Sequence, residues 1–429
     1  MSDSKHDEAI HDPRLPKLIG GRRGTRFFSI AALVERTLEQ FNLEHSGGSP
    51  ALREAHTAAQ RYQLILDSMG YVLAVESVQV SEDEKAQIVQ RVYSEVFGYG
   101  PLDTLFADPK ITTISLRGST GVAVRYGHGD LVPMGAMFDD LPHVKRVLMR
   151  LLGDAGVLYS EEMGIVETGL TIGSRPISLS IVAPPFTTVL AVDMRLHPAQ
   201  ALTLDDLIDD GYMTAEAAVL IRQIVQSRYG ITIVGDSECG KTTLLNALLP
   251  LLPDPEQVVV VERAGEMRLP SPMTHYRAEW NGNDLPRRTF GEQIGTALND
   301  MPACLVLDEV RSDEPLTIAP LLETVSPPRL IWSVRGAPDA KRLQSAMGML
   351  ARRAGLMMDE ARVHALYERL PFVLTTARIR EQLQLFSIAE WQSRIDSDYP
   401  DYVMIYRYQE GAARPTGDAL ARWLDTPEA

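Results

Sequence analysis

The chain has 429 residues, enough for two or three domains that each bury a core of their own. Its formal charge of −15 argues against a nucleic-acid groove or an anionic membrane surface as the main partner. Two cysteines, Cys239 and Cys304, exclude a disulfide scaffold and suit a reducing cytosol.

The first 26 residues lean basic and show little apolar periodicity, which predicts a mobile arm. Arg22-Arg23 followed by the apolar stretch Phe27 to Val34 has the outline of an export signal. The stretch is short, Glu35 and Arg36 interrupt it, and no small-residue cleavage site follows, so it reads as the start of an amphipathic helix. No run reaches the roughly 18 apolar residues that a membrane span requires.

Helices are expected over 29–45 and 51–69, separated by the breaker Ser46-Gly-Gly-Ser-Pro50. A third begins after Ser81, whose spacing to Glu84 is that of a capping box. Residues 27–98 therefore read as a helical N-terminal region. From Gly100 the texture changes to short alternating or β-branched runs at 111–116, 122–126, 166–172, 176–182 and 188–195, with one helix at 141–153. This predicts an α+β domain over 99–196, followed by a linker at 197–204.

Residues 205–410 then alternate helix and strand: helix 214–228, strand 231–234, helix 241–252, strand 258–262, helix 289–300, strand 304–308, helix 314–324 and strand 329–334. Fully apolar strands with helices between them predict a parallel, doubly wound α/β sheet. Helical segments at 339–354 and 359–368 and two short strands close the domain, and residues 411–429 read as a flexible tail.

Within this domain the strand 231–234 ends in Gly235-Asp236-Ser237-Glu238-Cys239-Gly240-Lys241-Thr242-Thr243, and a helix follows at once. This is the phosphate-binding spacing G-x-x-x-x-G-K-[ST] in its proper strand–loop–helix context. The two glycines let successive N–H groups curl toward phosphate oxygens, and the helix N-terminus favours an anion. Lys241 is expected on the β- and γ-phosphates of ATP, and the Thr242 hydroxyl on Mg²⁺.

Two further strands end in acids. Residues 304–307 run into Asp308-Glu309, which suits a Mg²⁺ shell and the orientation of attacking water. Residues 258–261 run into Glu262, with Glu266 four positions on, and either acid can polarise water. Arg195, Arg277 and Arg311 are either surface ion-pair partners or neutralise the transferring phosphoryl group. Cys239 lies within the loop at a helix N-terminus, as a small tolerated residue or a redox-sensitive one.

The order of these pieces resembles the secretion ATPases of type II and type IV systems, particularly the CpaF-type motors of Tad (Flp) pilus machines. The resemblance runs from about residue 88 to 409. It is carried by Val96-Phe-Gly-Tyr-Gly-Pro-Leu102, Asp108-Pro-Lys-Ile-Thr-Thr-Ile114, Gly173-Ser-Arg-Pro-Ile177, Ala183-Pro-Pro185 and Leu202-Thr-Leu-Asp-Asp-Leu207. The phosphate loop, Val261-Glu-Arg-Ala-Gly-Glu266, Leu307-Asp-Glu-Val-Arg311, Ile388-Ala-Glu-Trp391 and Tyr402–Tyr408 continue it.

The resemblance implies a RecA-like P-loop domain preceded by a smaller α+β domain and a helical extension. It implies a homo-hexameric ring in the cytoplasm, held peripherally at the inner membrane by a platform protein and driving pilin assembly or secretion. Lys241 and Thr242 would bind phosphate and Mg²⁺, Glu262 would activate water, Glu309 would support the metal shell, and Arg195 and Arg277 would face phosphate.

Several positions depart from the family pattern. The loop interior is Asp-Ser-Glu-Cys in place of small residues, and Arg263 stands where the family has an aspartate. The family's T-G-H-D-G loop reads Thr324-Val-Ser-Pro-Pro328, and its histidine box reads Trp332-Ser-Val-Arg-Gly336, without histidine. Arginines expected before the second acidic strand are absent around Gly295 and Asn299-Asp300. The expectation is therefore a slow or conditional ATPase. The alternatives are a catalytically impaired nucleotide-binding subunit of such a machine and, further off, a P-loop DNA translocase.

Overall fold

The computed structural model describes residues 18–20, 27–46, 48–158, 164–280, 286–311, 321, 327–337, 339–353, 360–394 and 399–424. Most of the expected basic arm, the expected helix 314–324 apart from Leu321, and residues 324–326 of the altered loop lie outside them. The chain divides into two compact units, Met1–Asp108 and Pro109–Ala429.

The first unit begins with two short antiparallel strands, β1 (Leu18–Gly20) and β2 (Phe27–Ser29). Five helices follow: α1 (Ile30–Glu44), α2 (Pro50–Glu54), α3 (Ala58–Glu76), α4 (Glu82–Phe97) and α5 (Leu102–Ala107). The expected helix 51–69 is two helices, because Thr57 forms a fresh capping box with Gln60 and restarts the helix after a break. The capping box at Ser81 and Glu84 forms as the spacing predicts. Leu33, Phe41, Ile65, Ile88 and Val92 from α1, α3 and α4 close the core of this bundle.

Among its described residues the second unit contains two large sheets and a two-stranded ribbon. The smaller comprises β3 (Ile111–Arg117), β4 (Gly121–Tyr126), β5 (Leu131–Gly135), β6 (Ile165–Ile172), β7 (Arg175–Val182) and β8 (Ala191–Leu196), with α6 (Leu141–Asp154) between β5 and β6. It is antiparallel in the order β5-β4-β3-β8-β7-β6. The strand β5 (Leu131-Val-Pro-Met-Gly) carries no strand signal in the sequence, because its apolar residues do not alternate with polar ones and Pro133 interrupts the run.

The larger sheet follows α7 (Leu204–Asp209) and α8 (Ala215–Gln226). Its elements are β9 (Ile231–Gly235), α9 (Lys241–Leu248), β10 (Val258–Glu262) and β11 (Thr274–Arg277). A small ribbon of β12 (Glu279–Trp280) and β13 (Pro286–Arg288) precedes α10 (Phe290–Asn299), β14 (Cys304–Val310) and β15 (Arg329–Arg335). Then come α11 (Ala340–Arg353), α12 (Glu360–Arg369), β16 (Phe372–Ile379), β17 (Gln382–Gln392), β18 (Asp401–Gln409) and β19 (Ala412–Pro415).

Strand order is β11-β10-β14-β15-β9-β16-β17-β18-β19, parallel as far as β16 and antiparallel beyond it. The doubly wound α/β prediction holds for the parallel part. Among the described residues four strands, not two, follow α12: β16 joins the parallel part, and β17, β18 and β19 extend the sheet as a meander. The flexible tail needs correction at its start: residues 412–415 pair with β18, and Thr416 donates its backbone N–H to the Ile405 carbonyl.

Alternation along the central strands builds a core on each face. Ile231, Ile233, Val258, Val260 and Val306 pack with α8 and α9 on one side. Val259, Val261, Leu305, Leu307 and Trp332 pack with α10, α11 and α12 on the other. Strands buried on both faces read as unbroken apolar runs, which is why the sequence announces them. Their carboxyl ends carry the polar residues, and register sets Glu262 beside Asp308 and Gly235 beside Arg335.

Candidate functional site

The loop from Gly235 to Gly240 joins β9 to α9 at the carboxyl end of the sheet, where open α/β sheets bind ligands. Only glycine fits at its two ends. A Cβ on Gly235 would lie 2.2 Å from Cys239 Sγ and 2.5 Å from Thr376 Oγ1, and Gly240 caps α9 with φ +89°. Cys239 is buried; its Sγ lies 2.9 Å from both the Asp236 carbonyl and Thr376 Oγ1.

A cavity of about 550 Å³ opens above this loop, between the two sheets of the second unit. Ser237, Glu238, Cys239, Gly240, Lys241, Thr242 and Thr243 form its floor, with Asp308, Glu309 and Glu266 at one side. Arg125, Ser178, Arg195 and His197 reach in from the smaller sheet. Lys241 is buried, with Nζ 2.8 Å from the Asp236 carbonyl and 3.0 Å from Glu309 Oε2. The Thr242 hydroxyl donates to Asp308 Oδ2 at 3.3 Å, and Ser333 donates to Asp308 Oδ1 at 2.5 Å.

Burial pushes the Asp308 carboxyl up to about 7, and the charges of Glu266, Glu262 and Glu309 add to the rise against the Ser333 hydrogen bond. Glu266 behaves differently. Burial would raise it, but His197 and Arg195 and the hydroxyls of Ser178 and Thr242 outweigh burial and hold it below the usual carboxylate range. A hydroxyl beside a carboxylate, both hard oxygen donors at a phosphate loop, is a donor set that fits Mg²⁺ shared with phosphates.

The sequence-predicted arginines separate. Arg195 Nη2 donates to Ser237 Oγ at 2.8 Å, and Arg311 lines the cavity while pairing with Glu167 on β6 at 2.8 Å. Arg277 does not line the cavity; its Nη1 donates to the Gly169 carbonyl at 3.2 Å and braces the two sheets. Glu262 is fully buried and also absent from the cavity wall. Its Oε2 accepts the backbone N–H groups of Glu266 and Met267 at 2.7 and 3.0 Å, and His275 Nε2 stands 2.5 Å from its Oε1. It organises the loop after β10 and presents Glu266 to the cavity.

The altered loop interior is paired rather than loose. Glu238 binds Arg125 and lies 3.7 Å from Arg195 Nε. It also holds a left-handed backbone conformation, φ +57°, that favours glycine. Asp236 turns outward to Arg335 at 3.1 Å; the Ser237 N–H, with Arg335, lowers its pKa. Arg263 stacks over Phe290 at 4.1 Å and donates to the Glu309 carbonyl at 3.1 Å. Arg125, Ser178 and His197 carry no signal in the sequence, since no motif flags single polar residues on or just past an antiparallel strand.

The family model of the type II/IV secretion system protein matches residues 167–322. A putative conjugal transfer protein of Mycobacterium tuberculosis is 28% identical over 237 residues, 54% of this chain and 67% of the relative. The type IV secretion system protein VirB11 of Bartonella henselae is 28% identical over 119 residues, 27% of this chain and 33% of that protein. The Legionella pneumophila ATPase DotB structure gives a TM-score of 0.47 at 12% identity, covering 67% of this chain and 78% of that one.

Proposed function

We propose, from the premise that this chain belongs to the type II/IV secretion ATPase family, that it is an ATP-driven motor whose two sheets close over one nucleotide. The single observation that carries this reading is Arg195 of the smaller sheet bonded to Ser237 of the phosphate loop, with the buried Lys241 amine on the same cavity. Phosphate binding there draws on both sheets, so its loss after hydrolysis releases one from the other.

In this mechanism the loop N–H groups and Lys241 hold the β- and γ-phosphates, and Lys241 exchanges Glu309 for the nucleotide. Thr242 and Asp308 would hold Mg²⁺, which supplies charge neutralisation on the phosphates. Glu309 supports that shell. Glu266, ionised and facing the cavity, accepts the proton of the attacking water, a role better matched to it than to the enclosed Glu262. Arg195 and Arg311 stabilise charge on the transferring group.

The machine served is a Tad-like pilus or a type II/IV secretion apparatus. The chain would work as a homo-hexamer on an inner-membrane platform protein, peripheral to the membrane on its cytoplasmic side. Among the described residues no helix is long and apolar enough to cross a membrane. A second reading, a catalytically impaired nucleotide-binding subunit, is favoured by Glu238 already occupying Arg125 and Arg195. Steady-state ATP turnover of the purified chain separates them. Turnover abolished by Lys241→Ala supports the motor, and absent turnover in the wild type or turnover unchanged in Lys241→Ala refutes it; Glu266→Gln tests the base alone. DNA binding that weakens steeply with salt would instead favour a translocase.

A further inference from the structure

Ser178 Oγ lies 2.5 Å from His197 Nε2 and 2.5 Å from Glu266 Oε1. Ser178 stands on β7 and His197 one residue past β8, so both belong to the smaller sheet, whereas Glu266 belongs to the loop after β10 of the larger one. All three line the cavity.

The proton inventory gives this chain of contacts a direction. An ionised carboxylate only accepts, and a serine hydroxyl has one proton to give. Ser178 therefore donates to Glu266 and accepts from His197, which places the imidazole proton on Nε2. The other neutral tautomer would set two lone pairs against each other at 2.5 Å. Burial, with Arg195 and Arg268 nearby, holds His197 below the usual histidine range, against the pull of Glu266 and Glu262. A neutral ring with one N–H matches the geometry.

We propose that Ser178 and His197 are positioning residues that aim the Glu266 carboxylate at the attacking water, so that the smaller sheet controls the base held by the larger one. This rests on the reading of Glu266 as the base. Ser178 fixes one carboxylate oxygen and His197 fixes the hydroxyl rotor, while the Thr242 hydroxyl stands beside the same carboxylate. Separation of the two sheets unhooks the chain and leaves the base unaimed, which ties hydrolysis to closure without any further residue at the phosphate.

Turnover and equilibrium ATP binding by the full chain test this with Ser178→Ala, Ser178→Thr, His197→Phe, His197→Gln and Glu266→Gln. Loss of a hydrogen bond to a charged acceptor should lower kcat about tenfold or more in Ser178→Ala. ATP affinity should stay within about twofold, since neither residue touches the loop that binds phosphate. Threonine at 178 and glutamine at 197 keep a donor and should recover most of kcat, whereas His197→Phe should not.

Wild-type kcat in Ser178→Ala, with turnover abolished in Glu266→Gln, overturns the positioning role alone. Unchanged turnover in Glu266→Gln overturns the base itself. A readout independent of turnover is the ¹⁵N spectrum of His197, identified by its loss in His197→Gln. A neutral ring protonated on Nε2 at pH 7.5 is expected; an imidazolium or an Nδ1–H ring overturns the proposal.

Discussion

Glu238 offers the sharpest test of how the loop handles phosphate. Its carboxylate pairs with Arg125 and approaches Arg195, with the glutamate 29% and Arg125 14% exposed, so the charges are only partly screened. A unit pair at 4 Å is worth about 4 kcal/mol at an effective dielectric of 20. Exposure, and re-pairing of the arginines with an incoming phosphate, reduce the net competition to about 1–2 kcal/mol. Glu238→Gln, which removes the charge and keeps the shape, should therefore tighten ATP binding by roughly five- to thirtyfold.

Glu238→Gly should tighten ATP binding likewise. Release of about 1–2 kcal/mol of left-handed strain offsets the lost ion pair and the backbone entropy of glycine, so its melting temperature should stay close to wild type. Calorimetric titration of ATP with Mg²⁺ at low and moderate salt reads the affinity. The gain should shrink as salt rises. Unchanged or weaker binding in both variants would refute the picture of a carboxylate competing with phosphate for the same arginines.

Glu262→Gln strips charge from a fully buried group that accepts two backbone N–H groups and faces His275, and should cost about 2–4 kcal/mol in urea denaturation. A loss under about 0.5 kcal/mol would contradict its structural role. A Cβ on Gly169 would lie 1.7 Å from the Ala264 carbonyl oxygen, backbone against backbone between the two sheets. Gly169→Ala should cost about 1–3 kcal/mol and loosen the contact made by Arg277, checked by the same titration and by hydrogen exchange at the loop after β10.

Burial holds His197 below the usual histidine range in the folded chain, so below about pH 6.5 the unfolded chain binds more protons. Its contribution to stability is full above that pH and declines as pH falls toward the depressed folded value. The melting temperature of the wild type should therefore drop more between pH 7 and pH 5.5 than that of His197→Gln. Equal drops would show that the imidazole is not buried neutral.

The sequence by itself determined the central sheet and the phosphate loop. Strands covered on both faces must be apolar throughout, and a backbone that curls around phosphate must have glycine at 235 and 240. Both constraints act on neighbouring residues, so both are legible in a linear pattern. The lysine, the threonine and the acids at 308 and 309 followed from their distance to those strands.

Only the tertiary structure separates Glu262 from Glu266: one carboxylate folds back onto the N–H groups of its own loop, and the other lines the cavity. The same is true of Arg277, which braces two sheets instead of lining the cavity. Arg125, Ser178 and His197 reach the site from a separate antiparallel sheet. A polar residue on such a strand looks like any solvent-facing position until another sheet packs over it, and that packing joins residues some 90 positions apart by contacts no local spacing records.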